Sequence, residues 1–146
     1  MTPPDKPLHL ENQLCFALYS ASLAMTKLYK PLLEAMGLTY PQYLVMLVLW
    51  QEDGLIVSDI GQRLFLDSGT LTPLLKRLET AGFVRRTRDV KDERRVAITL
   101  TQRGRALSEE AAKLPSCVLD RTHCSVEDLM SLNEGVKRFR QSLIIS

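Results

Sequence analysis

Cys15 is the residue of this sequence with the most distinctive chemistry, because it stands near the start of a predicted helix. The positive end of the helix dipole favours an anion there, and the thiolate is the reactive form of cysteine. Tyr19 follows one turn later on the same face, where its hydroxyl would donate a hydrogen bond to the sulfur. A thiolate stabilised by hydroxyl donors reacts with peroxides. The alternative is that Cys15 is a small buried apolar residue, as most free cysteines are.

Cys117 and Cys124 are the other two of the three cysteines, and the spacing of the set matches no metal-binding motif. No C-x-x-C pair occurs, and His9 and His123 do not complete a zinc pattern, so we expect no metal and no cofactor. An odd number of cysteines in a chain without a secretory signal argues against a disulfide framework. Redox, catalytic and buried roles therefore stay open for these thiols.

Basic and hydroxyl-bearing side chains concentrate in the middle of the chain. Residues 67–73 read DSGTLTP, and Lys76 and Arg77 follow one turn later. Residues 85–95 hold six basic and three acidic side chains, although the net charge of the whole chain is only +2. Hydroxyls and helix N-terminal N–H groups bind phosphates, and a projecting arginine fits a narrow minor groove. The other interpretation is that a charged hairpin only protects its own edges from aggregation.

Hydrophobic periodicity and capping signals predict a mainly helical chain with one small β-hairpin. The predicted helices cover about 9–36, 39–50, 58–65, 70–80, 101–114 and 125–143, and the strands cover 83–88 and 94–100. Thr39 and Gln42 form a capping box before the second helix, which is apolar on nearly every face and therefore predicted to be buried. Pro31 should bend or interrupt the first helix, and Pro73 should either fall in the first turn of the fourth helix or kink that helix. Pro115 should end the fifth helix and open a polar loop that reaches residue 123.

Two helices joined by a tight turn and followed by a hairpin form a winged helix-turn-helix, which places its second helix in the major groove of DNA. At these residues the sequence resembles the DNA-binding core of MarR-type regulators, in LFLDSGTLTPLLKRLETAGFVRR and in DVKDERRVAITLTQRGR with its Asp-x-Arg element, Asp92 and Arg94. The segment LCFALYSASLAMTKLYKPLLEAMGLTYPQYLVMLVLW resembles, more narrowly, the organic hydroperoxide resistance (OhrR-type) repressors of that family. The resemblance covers about residues 14–104.

The resemblance implies a single MarR-type domain over residues 1–146 that forms a homodimer. Residues 9–37 and 105–146 would supply the dimerisation helices, and residues 39–104 the winged helix-turn-helix lobe. The lobe would bind double-stranded operator DNA, and the inducer would be an organic hydroperoxide. The residues expected at the DNA are Ser68, Thr70, Thr72, Lys76, Arg77, Arg86, Arg88, Asp92, Arg94 and Arg95.

The same resemblance assigns Cys15 the role of peroxide sensor. Tyr29 and Tyr40, in the motifs LYKPLL and LTYPQY, match tyrosines that hydrogen-bond the sensor thiol across the dimer interface. Together with Tyr19, they are the residues expected to donate hydrogen bonds to the thiolate.

The resolving cysteine is less well defined by the resemblance. Two-cysteine members of the family form an intersubunit disulfide with a cysteine ahead of the last helix, and that position falls on Asp120 here. Cys117 and Cys124 flank this position. We favour Cys124, because it precedes the N-cap Ser125 and is expected in a mobile loop. If neither cysteine resolves Cys15, the protein is a one-cysteine sensor that couples to small thiols.

The sequence therefore predicts a redox-controlled repressor, and not an enzyme, that leaves its operator when an organic hydroperoxide oxidises Cys15. One alternative is a MarR-type regulator that responds to a small apolar or phenolic ligand, with an inert Cys15. The alternative of another class is a thiol-dependent peroxidase, which would leave the basic hairpin unexplained. The longest apolar run, residues 43–50, is shorter than the about 20 residues of a membrane span, and the chain begins without a signal-like segment. We expect a cytoplasmic protein without a membrane partner.

Overall fold

The elements of a winged helix-turn-helix follow one another along the chain in the predicted order. The computed structural model describes residues 5–145. The helices are α1 (Leu14–Glu34), α2 (Tyr40–Gln51), α3 (Val57–Leu64), α4 (Ser68–Thr80), α5 (Gln102–Ala111), α6 (Leu114–Thr122) and α7 (Val126–Ile145). The strands are β1 (Leu55–Ile56), β2 (Val84–Arg88) and β3 (Val96–Leu100). α3 and α4 form the helix-turn-helix and β2 and β3 form the wing, which confirms the predicted fold class.

The chain packs as two compact units. The first ends at Ala111 and contains α1 to α5 with the sheet, and the second begins at Ala112 and contains α6 and α7. The single MarR-type domain, with dimerisation helices over 9–37 and 105–146, remains a prediction.

α2 is the central helix of the first unit. The side chain of Thr39 accepts the N–H of Gln42 at 3.4 Å, and Gln42 Oε1 accepts the N–H of Thr39 at 3.0 Å, which confirms the predicted capping box. Buried side chains occur on several faces of the helix, so its predicted burial is also confirmed. The largest fully buried side chains are Leu33, Val45, Met46, Leu49, Ile60, Leu71, Leu75, Leu78, Val84 and Ile98. They come from α1 to α4, β2 and β3, so one core holds the helix-turn-helix and the base of the wing.

The sheet has three strands in the order β1-β3-β2. β2 and β3 pair antiparallel, from Val84 opposite Leu100 to Arg88 opposite Val96. β1 pairs with the other side of β3. The sequence analysis missed β1, because a strand of two residues is too short to display an alternating pattern. β2 is consequently an edge strand of this sheet.

Three prolines fall at positions that differ from the sequence predictions. α1 is not interrupted at Pro31 but continues to Glu34. α4 begins two residues earlier than predicted, because Asp67 caps it, so Pro73 lies in the second turn and not the first. Pro115 lies in the first turn of α6, where a missing N–H has no helical partner to lose. The prediction of a loop over residues 115–123 is therefore wrong, because most of this segment is the helix α6.

Gly104 joins α2, α5 and the base of the wing at one point. The indole N–H of Trp50 donates to the carbonyl oxygen of Gly104 at 2.9 Å. A Cβ atom at position 104 would lie 2.1 Å from the carbonyl oxygen of Phe83, which is far inside van der Waals contact. Only glycine fits this approach, and the wing is thereby held against α2.

Candidate DNA interface and thiol site

The N-terminus of α4 presents the hydroxyl-rich segment to solvent. Asp67 Oδ1 accepts the backbone N–H of Thr70 at 2.7 Å, and hydrogen bonding from Thr70 holds the pKa of the Asp67 carboxyl below its ordinary value. Ser68 and Thr70 are exposed. Thr72 is half-buried, and its hydroxyl donates to the carbonyl oxygen of Ser68 at 2.7 Å. Exposed hydroxyls beside first-turn N–H groups are a surface suited to phosphate.

The opposite face of α4 anchors the helix in the core. The buried side chains of this face are Leu71, Leu74, Leu75 and Leu78. Lys76 and Arg77 are both exposed. The turn from α3 into α4 is tight, since a Cβ atom on Gly61 would lie 2.7 Å from the carbonyl oxygen of Leu66. The core therefore fixes which face of α4 points outward, and that face carries the hydroxyls and the cations.

The tip of the wing exposes several arginines, one of which is hydrogen-bonded to Asp92. Asp92 Oδ1 accepts the backbone N–H of Arg94 at 3.1 Å and its Nε–H at 3.2 Å, so the predicted Asp-x-Arg element is a contact pair. The Arg94 side chain is 92% exposed. Arg88 donates to the carbonyl oxygen of Glu93 at 3.2 Å, and Arg95 is exposed. The pair pre-orients the Arg94 side chain while leaving most of its guanidinium in solvent.

Arg86 differs from the other predicted DNA residues, because it is engaged within the lobe. Its Nε–H donates to Glu79 Oε1 at 3.1 Å, and its backbone N–H donates to Glu79 Oε2 at 3.1 Å. Sequence analysis missed Glu79. In the sequence it is an acidic residue seven positions before an arginine, and no periodicity or spacing pairs the two.

Cys15 is the second residue of α1, near the helix start as predicted. Its side chain is exposed. Tyr19 is exposed one turn later, with 64% of its surface accessible. Within residues 5–145 no hydrogen bond joins Cys15 to Tyr19, Tyr29 or Tyr40. Tyr29 is fourteen residues further along α1, which places it about 21 Å away along the helix axis at about 1.5 Å per residue. A thiol–tyrosine contact inside one subunit is therefore excluded for Tyr29.

Tyr29 and Tyr40 instead cluster with Tyr43. The ring centroids of Tyr29 and Tyr40 are 5.2 Å apart, and those of Tyr29 and Tyr43 are 5.9 Å apart. Burial raises the pKa of Tyr29, of Tyr40 and of Tyr43, so each hydroxyl keeps its proton at neutral pH. The cluster consequently consists of hydrogen-bond donors.

An apolar cavity of about 420 Å³ adjoins this cluster between α1 and the start of α2. Leu23, Leu33 and Tyr40 line it, together with the exposed Lys27 and Lys30. The cavity has the size and lining of a small-molecule site.

The two remaining cysteines lie in the second unit. Cys117 is half-buried on α6, and Cys124 is exposed just after His123, the left-handed residue that ends α6. Cys124 therefore lies in a short connection, as predicted, but Cys117 lies on a helix. In the described part of the chain no group of histidine, cysteine or acidic residues could hold a metal ion. None of the described helices is long and apolar enough to cross a membrane.

Comparison with known proteins identifies relatives along almost the whole chain. Residues 27–111 match the family model of the SarA/Rot transcriptional regulators. The chain is 51% identical over 142 residues to the HTH-type transcriptional regulator TtmR of Methylorubrum extorquens, which covers 97% of this chain and 73% of that protein. It is 48% identical over 136 residues to the organic hydroperoxide resistance transcriptional regulator of Bacillus subtilis, covering 93% of this chain and 92% of that protein.

Solved structures give the same result. Reduced AbfR bound to DNA superposes with a TM-score of 0.83 at 37% identity, covering 96% of this chain and 98% of that chain. AbfR, a protein of Staphylococcus epidermidis, has also been solved in a disulfide form, with a TM-score of 0.68 at 39% identity over 94% of this chain and 93% of that chain. These relatives carry the same winged lobe and are named as transcriptional regulators. The chain belongs to the MarR family of winged-helix transcriptional regulators, among its organic hydroperoxide resistance (OhrR-type) members.

Proposed function

We propose that this protein is a redox-sensing repressor that binds operator DNA when Cys15 is reduced and leaves it when an organic hydroperoxide oxidises Cys15. The observation that carries the proposal is the combination, in one chain, of an exposed thiol at a helix start and a complete winged lobe. The 48% identity to a regulator of organic hydroperoxide resistance supports the same pairing of thiol and lobe.

DNA binding uses the outward face of α4 and the tip of the wing. Ser68, Thr70 and the first-turn N–H groups of α4 bind phosphate, while Lys76 and Arg77 extend the contact along the major groove. Arg94 projects from the wing into the adjacent minor groove, held by Asp92. The net charge of +2 is sufficient, because the cations that matter lie on one surface.

A homodimer is supported by apolar side chains that the chain leaves exposed on two long helices. On α1 they include Leu14, Phe16, Tyr19, Leu23 and Met25. On α7 they include Val126, Met130, Leu132, Val136 and Phe139. Exposed apolar faces of this extent mark interaction surfaces, and a dimer gives the two winged lobes that a pseudo-palindromic operator requires.

The dimer also supplies the contacts that the sensor thiol lacks within its own subunit. The start of α1 in one subunit meets the Tyr29–Tyr40 cluster of the other, whose protonated hydroxyls donate to the thiolate. The thiolate attacks the hydroperoxide, the O–O bond breaks, an S–O bond forms, and the alkoxide leaves as the alcohol after taking a proton from water. The cysteine becomes a sulfenic acid, which no longer accepts these hydrogen bonds as an anion. The subunit packing then changes, and with it the separation of the two lobes.

Cys124 is the cysteine that we assign to resolve the sulfenic acid. It is exposed in the connection between α6 and α7, whereas Cys117 is half-buried on a helix. Its thiol attacks the sulfenic sulfur, an S–S bond forms and the S–O bond breaks. The displaced hydroxyl takes up the thiol proton and leaves as water. We expect peroxide to give a covalent dimer on a non-reducing gel, which Cys124→Ser abolishes and Cys117→Ser retains. Loss of that species in Cys117→Ser alone would reverse the assignment, and its absence from the wild type would indicate a one-cysteine sensor.

The proposed function is tested by operator binding before and after one equivalent of cumene hydroperoxide, for the wild type and for Cys15→Ser. We expect the wild type to release a duplex selected against the reduced protein, and Cys15→Ser to retain it. Release from Cys15→Ser by a phenolic ligand, with no response of the wild type to peroxide, would favour a ligand-responsive regulator that uses the cavity beside Tyr40.

The protein is a regulator and not an enzyme under this proposal, and it acts in the cytoplasm where the chromosome lies. We expect each subunit to consume one equivalent of hydroperoxide and then stop. Continuous turnover of hydroperoxide with a thiol reductant would instead indicate a peroxidase.

A further inference from the structure

Glu79 holds the wing against the recognition helix through both of its carboxylate oxygens. Glu79 lies in the last turn of α4. Its Oε2 accepts the backbone N–H of Arg86 at 3.1 Å, and its Oε1 accepts the Nε–H of the same residue at 3.1 Å. The two side chains are 39% and 29% exposed, so the pair is partly shielded from water.

The position of Arg86 in the sheet means that this contact joins α4 to an edge strand of the wing. β2 is an edge strand, so backbone N–H groups that point away from β3 have no strand partner. Arg86 is the middle residue of β2, and Glu79 satisfies its outward N–H. The bond is therefore a direct connection between α4 and the strand that leads to the wing tip.

The charge of Glu79 is unfavourable for DNA binding by itself. It follows Lys76 and Arg77 on the helix that faces DNA, and it engages the Nε–H of Arg86, which would otherwise be available to a phosphate. A carboxylate at this place weakens the attraction to DNA, because it cancels a nearby cation. Its benefit must come from geometry.

We propose that Glu79 is a positioning residue for DNA binding, which sets the wing relative to α4 so that Arg94 and the outward face of α4 reach the DNA together. The proposal rests on the proposed DNA-binding function. Arg86 acts with Glu79 in this role, and its contribution to affinity is made through the wing and not through a phosphate.

A positioning role and a purely electrostatic role predict opposite changes in DNA affinity when Glu79 is replaced. If Glu79 acts only through its charge, Glu79→Gln and Glu79→Ala both tighten binding, since a negative charge leaves the interface. If Glu79 positions the wing, both weaken it. Glutamine keeps one acceptor for the backbone N–H but turns an amide N–H₂ toward the arginine, so it should lose less than alanine.

The experiment measures affinity for a duplex selected in vitro against the reduced wild type and for a scrambled duplex of the same composition. We expect Glu79→Ala to bind the selected duplex about tenfold more weakly, the effect of losing a hydrogen bond to a charged group. Glu79→Gln should lose about threefold, on the same scale. Binding to the scrambled duplex should be unchanged or tighter, because non-specific affinity depends on charge. Glu109→Gln, which removes an exposed carboxylate from α5, is the matched control and should leave the ratio of the two affinities unchanged.

A double-mutant cycle with Arg86→Ala tests the second half of the proposal. If both residues act as one unit, the double variant loses no more than Glu79→Ala alone, and the dependence of affinity on salt keeps its slope in Arg86→Ala. Thermal melting establishes that each variant is folded at the assay temperature, and the near-isosteric Glu79→Gln decides the result if the alanine variant is not.

Equal or tighter binding of the selected duplex by Glu79→Gln would overturn the positioning role. Additive losses, with a salt slope reduced in Arg86→Ala, would make Arg86 a phosphate ligand instead. If the reduced wild type selects no duplex, the proposed DNA-binding function itself fails, and the two failures are thereby distinguished.

Discussion

The sensor thiol and the tyrosines that stabilise it should come from different subunits, and mixed dimers test this directly. Cys15 and Tyr29 lie about 21 Å apart along one α1, since fourteen residues separate them at about 1.5 Å each. Tyr40 packs edge-to-face against Tyr29 with a centroid separation of 5.2 Å, so it belongs to the same remote cluster. No tyrosine side chain spans that distance. Stabilisation of the thiolate by Tyr29 or Tyr40 therefore requires the cluster of the partner subunit.

A heterodimer of two different variants distinguishes contact across the dimer from contact within one subunit. One subunit carries Cys15→Ser with intact tyrosines, and the other carries Cys15 with Tyr29→Phe and Tyr40→Phe. Contact across the dimer leaves one complete site, because the only Cys15 faces intact tyrosines. Contact within a subunit leaves none.

The magnitude follows from the hydrogen bonds that phenylalanine removes. A hydrogen bond to a charged group contributes about 1.5 kcal/mol, which is about a tenfold change in the thiolate population. The homodimer of the phenylalanine variant should thus react with peroxide at least about tenfold more slowly than the wild type. The heterodimer should react at the wild-type rate per cysteine.

Sulfenic acid formation in differently tagged subunits can be followed by intact-mass spectrometry after trapping with dimedone. A heterodimer as slow as the phenylalanine homodimer would refute contact across the interface. A phenylalanine homodimer as fast as the wild type would show that the tyrosines only pack.

Four further predictions concern the winged lobe. Gly104→Ala should lower the free energy of unfolding by at least about 2 kcal/mol in chemical denaturation, because the added Cβ overlaps a backbone carbonyl that cannot rotate away; stability within error of the wild type would contradict the close approach. Arg94→Ala should weaken operator binding and reduce its salt slope by about one unit, once melting has shown that the variant is folded; an unchanged slope would place Arg94 off the DNA. The lowered pKa of Asp67 means that its charge stabilises the fold at neutral pH and that this is lost as the pH falls from the ordinary carboxyl range through the lowered value. Asp67→Asn should flatten that part of the stability profile, and an identical acid limb in both proteins would remove Asp67 as its source. Trp50 is the only tryptophan, so its emission should change when peroxide acts on the wild type but not on Cys15→Ser; an equal change in both would place the response outside the thiol.

The winged lobe could be predicted from the sequence because each of its elements carries a local signal. The capping box at Thr39 and Gln42 fixes the start of α2 through side chain to backbone hydrogen bonds that depend only on neighbouring residues. The alternation of apolar residues reveals β3, where Ile98 is buried between the half-buried Val96 and Leu100. These signals are carried by residues that lie close together in the sequence.

The prolines were harder to place, because a proline restricts the backbone without saying on which side of it a helix lies. Pro115 is equally compatible with ending α5 and with starting α6, and the apolar residues Leu114 and Val118 decide for the second by being buried one turn apart. Pro73 lies one turn deeper in α4 than propensity predicts, because the Asp67 cap sets the first residue of the helix. The cap marks where the helix begins, and the burial of Leu71, Leu74, Leu75 and Leu78 on the same helix offsets the hydrogen bond that Pro73 cannot make.

The candidate site divides in the same way. Exposed residues such as Arg94 could be named from the sequence, since their type and their place on a hairpin are sufficient. The pairing of Glu79 with Arg86 could not, because it joins an α-helix to a strand edge, and neither periodicity nor composition records which backbone N–H lacks a partner. Contacts between subunits cannot be predicted from periodicity or composition either, because these patterns do not record which residues meet in a dimer.

Under the proposed function, α2 connects the site of Cys15 oxidation to the DNA-binding surface, because it makes a contact at each of its ends. One end carries Tyr40 and Tyr43 in the aromatic cluster, and the other carries Trp50, whose N–H is bound to the carbonyl oxygen of Gly104 at 2.9 Å. The helix has twelve residues, spans about 18 Å and is buried on several faces, so bending it would disturb closely packed side chains. Under the proposed function, we expect a displacement of the cluster by the partner's oxidised thiol to be passed to the junction where α5 meets the base of the wing. The backbones at that junction are closely packed, since a Cβ atom at Gly104 would lie 2.1 Å from the carbonyl oxygen of Phe83, and we therefore expect the wing to move with α2.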